Sequence, residues 1–152
     1  MYKFNILIII ILHIFADISF SETLSPQTAC NPKSVISLQL LSLQNNNTPY
    51  IDAGIETVWN YAHPDNKENT GPFSRFKSMI YNKAYKPLIN HNAHKITLKN
   101  KSEYEYIYDV EIITEKRIYI YQWKLRKLSK GHNKGCWLTV AVIGPIDLGD
   151  YI

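Results

Sequence analysis

Residues 70–89 read TGPFSRFKSMIYNKAYKPLI, and this stretch decides the fold. Thr70-Gly71-Pro72 is a helix start, because a proline at the first helical position has a preset φ and lacks only an N–H that would be orphaned anyway. Phe73, Phe76, Met79 and Ile80 follow on one face, while Arg75 and Lys77 leave toward solvent. The chain then bends across Asn82 to Pro87, with Tyr85 and Leu88 expected to turn inward. A short aromatic helix therefore delivers the chain into whatever comes next.

What comes next has a period of two. Ile96 and Leu98 alternate with Lys95, Thr97 and Lys99. Tyr104, Tyr106, Tyr108, Val110 and Ile112 alternate with Glu105, Asp109 and Glu111. Tyr119, Tyr121, Trp123 and Leu125 alternate with Gln122, Lys124 and Arg126, and Cys136, Leu138, Val140 and Val142 close the series. Polar links at Asn100–Ser102, Thr114–Lys116 and Ser129–Lys134 are of hairpin length. The pattern predicts a four-stranded antiparallel meander with one apolar face.

Upstream the period is helical. Asn31 is an N-cap and Pro32 opens the first helix, with Val35, Ile36, Leu40 and Leu43 inward and Ser37, Gln39 and Gln44 facing away. Asn45-Asn46-Asn47 ends it. A second helix is expected from near Pro49 to about Ala62, with Ile51, Ile55, Val58 and Trp59 on its apolar face. Gly54 weakens it by about 1 kcal/mol, and His63-Pro64 stops it. Asp65 to Asn69 reads as a polar loop. Three N-terminal helices and one half-apolar sheet make a two-layer α+β domain, in which the sheet curves, the helices cover its concave side and the cone-shaped mouth is a natural pocket.

The first residues indicate export. Lys3 precedes an apolar run from Ile6 to Ala16 interrupted only by His13, and Ser19-Phe20-Ser21 offers small residues for cleavage before Glu22. The run is about half of the ~20 residues a spanning helix needs, and Asp17 falls where an anchor would continue. Residues 1–21 are thus expected to be a signal peptide, and 22–152 a single domain with its core at about 32–143. No membrane association is expected after cleavage. Loss of one Lys and one Asp leaves the formal charge at +4, too modest to argue for nucleic acid. Cys30 and Cys136 would either close a disulfide across the domain or stand as an exposed thiol and a buried one.

Four blocks in order carry a resemblance. Val35-Ile36-Ser37-Leu38-Gln39-Leu40, Thr70-Gly71-Pro72-Phe73 with Arg75-Phe76 and Met79-Ile80, Tyr85-Lys86-Pro87-Leu88, and Gly135-Cys136-Trp137-Leu138-Thr139 resemble the domain of unknown function 4864 family of exported proteins. That family looks like a member of the nuclear transport factor 2-like (SnoaL-like) fold class. The resemblance implies a cone-shaped fold and carries no catalytic motif with it.

Candidate chemistry is sparse. His63 beside Asp65 is a candidate general base, against the plainer role of a helix C-terminal histidine facing the dipole. Asp109 is a second candidate, although alternation puts it on the outer face with Glu105 and Glu111. His91 and His94 are expected on opposite faces of a strand, unsuited to a shared metal. Lys124, Arg126, Lys127, Lys130 and Lys134 form a basic strip best read as a solvated strand face. No cofactor is expected, since phosphate loops, nucleophile elbows and metal-ligand boxes have no counterpart here. Trp59, Phe76, Tyr85, Tyr106, Tyr121 and Trp137 are expected to line a pocket for a small apolar ligand or partner segment. The alternatives are a small isomerase, dehydratase or hydrolase in the same cone, or a structural or dimerisation module self-associating through Ile107, Ile118 and Ile120.

Overall fold

The structure, a computed structural model, describes residues 31–131 and 133–150. The expected signal segment and Cys30 lie outside them. Four helices, α1 (Pro32–Gln44), α2 (Ala53–Asn60), α3 (Pro64–Thr70) and α4 (Phe73–Ile80), and a 3₁₀ turn at Lys86–Leu88 precede four strands. These are β1 (Ala93–Lys101), β2 (Glu105–Ile113), β3 (Arg117–Lys127) and β4 (Trp137–Asp150), joined in the order β1-β2-β3-β4 with every pair antiparallel. The α+β class and the meander are as expected. Among the described residues the helices number four.

The extra helix is α3, where a polar loop was expected. Pro64 occupies its first turn, the His63 ring accepts a hydrogen bond from the Asp65 N–H, and the Gly71 N–H closes the far end on the Lys67 carbonyl. None of its residues is buried, so it has no apolar stripe for periodicity to find. His63 is accordingly an N-cap, and the expectation of a helix C-terminal histidine is corrected.

Helix α2 also differs from expectation. It starts at Ala53, because Asp52 sits in the left-handed region at φ 66°, and Ile51 is 77 % exposed instead of lying on the apolar face. Helix α1 forms as expected, its Asn31 side chain accepting from the Lys33 and Ser34 N–H groups. One residue on it departs from the pattern: Gln39, expected to face solvent, is completely buried.

The core is the space between the helices and one sheet face. Val35, Ile36, Leu40 and Leu43 of α1 meet Tyr108, Val110 and Ile112 of β2 and Tyr121, Trp123 and Leu125 of β3. The β2 and β3 alternation is therefore the expected one. In β4 the inward set changes. The register slips between the pairs Lys124–Ala141 and Leu125–Thr139, leaving Val140 between them without a partner position. Cys136 and Leu138 are buried as expected, but Trp137 and Thr139 are buried beside them while Val140 is only half-buried: Thr139 donates to Gln39, and Trp137 meets Tyr106 edge-on at 4.7 Å.

A short crossing ties the two layers together. The His63 N–H donates to the Thr139 carbonyl at 2.8 Å and the Thr139 N–H to the Tyr61 carbonyl at 3.0 Å, so residues 61–63 run parallel to the start of β4. Farther along, β4 continues past Val142 to Asp150 and carries Pro145 between Gly144 (φ 142°) and Ile146.

Candidate functional site

The helical layer and the sheet leave one cavity of about 260 Å³ between them. Leu43 and Val58 form its helical wall, Phe76 and Ile80 of α4 its roof, and Trp123 and Val142 its sheet wall. Its polar groups come from the unexpected helix and its neighbours. Asn66, Asn69 and Thr70 line one side, Thr139 the floor, and Tyr85 the end, where its hydroxyl donates to the Val142 carbonyl at 3.1 Å. All five already donate within the protein: besides Tyr85, Asn66 Nδ2 bonds the Thr139 carbonyl (3.2 Å), Asn69 Nδ2 the Asp65 carbonyl (2.7 Å), Thr70 Oγ1 the Asn66 carbonyl (2.7 Å) and Thr139 Oγ1 the Gln39 side chain (2.7 Å). Among the described residues, no carboxylate, histidine or cation lines this cavity.

Of the six aromatics expected around a pocket, Phe76 and Tyr85 border the cavity. The other four have structural partners. Trp59 packs against Phe73 and Phe76 with Lys67 over its ring, and Tyr121 is fully buried with its hydroxyl on the Ala84 carbonyl at 2.7 Å. Tyr106 and Trp137 contact each other, and Lys127 lies 5.8 Å above the Trp137 ring. Asn66, Asn69 and Thr70 escaped sequence reading because nothing distinguishes them from loop residues until α3 is recognised.

The two candidate bases stand apart. Asp109 is on the outer sheet face, 3.1 Å from Lys99, and His63 is on the crossing strand. The His63 Nδ1 accepts from the Asp65 N–H, as a neutral ring does, and the Asp65 carboxylate places one oxygen 3.4 Å from that Nδ1 and the other 2.7 Å from Arg126. Burial holds the His63 pKa below its usual value; Asp65 opposes this and Arg126 adds to it. Of the basic strip, Arg126 and Lys127 are thus engaged. Ile107, Ile118 and Ile120 on the outer face are half-buried.

His91 and His94 correct another expectation. His91 precedes β1, so the two rings are not on opposite faces but meet: His91 Nε2 lies 2.7 Å from His94 Nδ1, and His91 Nδ1 lies 2.8 Å from the Leu88 carbonyl. The neutral tautomers satisfy both contacts, with His91 donating to Leu88 and His94 to His91. Among the described residues, no group of three or more His, Cys, Asp or Glu side chains is placed to hold a metal.

Burial lowers the pKa of His63, His91 and His94 alike. The unfolded chain then binds protons first as pH falls below about 6.5, so stability is full above that value and declines beneath it. Thermal melts from about pH 7.5 to about pH 5 should show a falling Tm, and His91→Asn should flatten that slope. A pH-independent Tm over this range would contradict the neutral pair.

Among the described residues, buried acidity is confined to the α1–α2 connection. Asp52 accepts from the Tyr81 hydroxyl and from Asn46 Nδ2, and pairs with Lys77 at 2.5 Å. Lys77 and Tyr81, with Asn46, hold its carboxyl below the usual range despite burial, and the same carboxylate pushes the Tyr81 phenol up. This cluster pins α4 and Tyr81 just after it to the α1–α2 connection, and so helps to fix the roof of the cavity.

Comparison of the chain with family models, curated proteins and solved structures finds no match. Among the described residues, no helix is long and apolar enough to cross a membrane.

Proposed function

We propose that this chain is an exported, non-enzymatic binding domain of the nuclear transport factor 2-like type, which takes a small apolar ligand between its helices and its sheet. The observation that carries the reading is the 260 Å³ cavity, walled by apolar side chains with a few amides and hydroxyls on one side and no acid–base pair. A mostly apolar cavity with a few placed polar groups is the usual form of a small-molecule site. Membership of the domain of unknown function 4864 family and signal-directed export fit the four sequence blocks and the N-terminal segment. The volume suits a compact ligand of roughly ten heavy atoms at most, by comparison with drug-sized sites of about 300 Å³ and more.

Filling the space tests this. Ala141→Leu places extra methyl groups at the lining and Thr70→Val removes a hydroxyl from it. Binding of a small apolar fluorophore, followed by quenching of Trp123, should weaken about tenfold in Ala141→Leu. Thr70→Val should shift selectivity toward ligands without polar groups. Wild-type protein that binds no apolar probe, or an Ala141→Leu variant that binds it unchanged, would remove the cavity from consideration.

A further inference from the structure

The 82–92 bend has two sides, and only one faces the apolar cavity. Tyr85 and Leu88 line that cavity, whereas Lys83, Lys86, Pro87 and Ile89 line a second concavity of about 480 Å³ on the opposite side. Its other wall is the β2–β3 turn and the start of β3, contributing Thr114, Glu115, Lys116, Arg117 and Tyr119. Four cations, two from each wall, and one carboxylate therefore line a cleft with an apolar and aromatic floor.

The charges are not neutralised locally. On the outer sheet face Lys95 and Lys99 are matched with Glu111 and Asp109 at 3.3 and 3.1 Å. Of the cleft cations, Arg117 alone has a carboxylate, Asp147 at 3.1 Å, while Lys83, Lys86 and Lys116 form no ion pair among the described residues. Cations gathered on both walls of a concavity raise the local concentration of anions, and low-dielectric walls focus the field. Asn90 and Asn92 add amide groups at the same rim. The turn is held in place, since Thr114 Oγ1 donates to the Arg117 carbonyl at 2.9 Å and accepts from its N–H at 3.1 Å. One basic wall is therefore preformed.

We infer that this cleft is a binding site for a compact multivalent organic anion bearing phosphate groups. Lys83 and Lys86 hold one end, Lys116 and Arg117 the other, and Tyr119, Pro87 and Ile89 cover the body of the ligand. Phosphate is favoured because point-charge lysines on two walls suit a group with several equivalent acceptor oxygens.

The test uses calorimetric titration of the purified protein with pyrophosphate. A parallel arm measures sedimentation with vesicles of phosphatidylcholine containing phosphatidic acid. Lys83→Gln/Lys86→Gln/Lys116→Gln removes three charges from the cleft, and Lys124→Gln/Lys130→Gln/Lys134→Gln removes the same number elsewhere. The cleft triple should lose about tenfold or more in affinity and most of the salt dependence, while the control changes by less than about twofold. Cleft-dependent binding of pyrophosphate identifies a soluble ligand, and cleft-dependent binding of vesicles alone identifies a lipid headgroup. Equal losses in both triples, or no binding by wild type in either arm, overturns the site. The single changes Lys86→Gln and Lys116→Gln, one from each wall, keep the result readable if the triple loses its fold.

Discussion

Gln39→Leu should lower stability by about 3–5 kcal/mol, seen as a drop in Tm of roughly 10–20 °C. Gln39 is wholly buried on α1, and its single carbonyl oxygen accepts from Trp123 Nε1 at 3.0 Å and from Thr139 Oγ1 at 2.7 Å. Its amide donates to the Val58 carbonyl at 3.2 Å. One side chain thus joins α1 to α2, β3 and β4. Leucine fills similar space but strands two donors and one acceptor away from water, each at about 1–3 kcal/mol. Gln39→Glu gives the sharper control. A buried carboxyl there has a raised pKa, and in its protonated form it reproduces both the acceptor and the donor. Relative to wild type at each pH, Gln39→Glu should recover as pH falls from about 8 to about 5, whereas Gln39→Leu should not. Equal deficits for both variants at every pH would show that shape alone is at stake.

The second large effect is one of sign. Helix propensity favours Gly54→Ala by about 1 kcal/mol, and on sequence grounds this glycine only weakens its helix. In the fold, a Cβ at Gly54 would lie 2.2 Å from the Ser42 carbonyl oxygen and 2.7 Å from its carbon. Both atoms are backbone of α1, so no side-chain rotation relieves the clash. The helices must separate, and Gly54→Ala is expected to destabilise by about 3 kcal/mol. Leu43 of α1 and Val58 of α2 both line the cavity, so binding of an apolar probe should weaken together with stability. Urea titration decides it: a raised or unchanged midpoint would mean the helices are not in the close contact described here.

Gly54 and Gln39 also show where sequence reading stopped. Period-two and helical alternation place Val110, Ile112, Tyr121 and Trp123 correctly, because burying them is a one-body property that each residue type carries with it. Gln39 and Gly54 are pairwise properties. Gln39 is inside because Trp123 and Thr139 need its oxygen, and the three are separated in the chain by up to 100 residues. Helix α3 was missed for a related reason: it is capped by His63 and opened by Pro64 but buries nothing, so its six polar residues resemble a loop. The cavity's amides were lost with it. The shift at Val140 is a third case, since a slip in pairing register leaves no mark on composition and yet leaves Val140 half-buried while Thr139 is buried against Gln39. The Thr70–Ile89 stretch was legible as a roof and bend, but not as a partition between an apolar space and a basic one.

The crossing of residues 61–63 over β4 has a consequence for how this chain behaves at high concentration. An edge strand as long as β4, with Ile143, Ile146 and Leu148 exposed, is an open template for intermolecular pairing. Here the near end of that edge is occupied by Tyr61 and His63 hydrogen-bonded to Thr139, and farther out Pro145 offers no N–H. The opposite edge, β1, presents Lys95, Lys99 and Lys101. Both rims are therefore guarded by different means, one by occupied and missing hydrogen-bond donors, the other by charge. A foreign strand finds an interrupted ladder on one side and a row of lysines on the other, which disfavours fibril-like pairing despite the apolar outer margin.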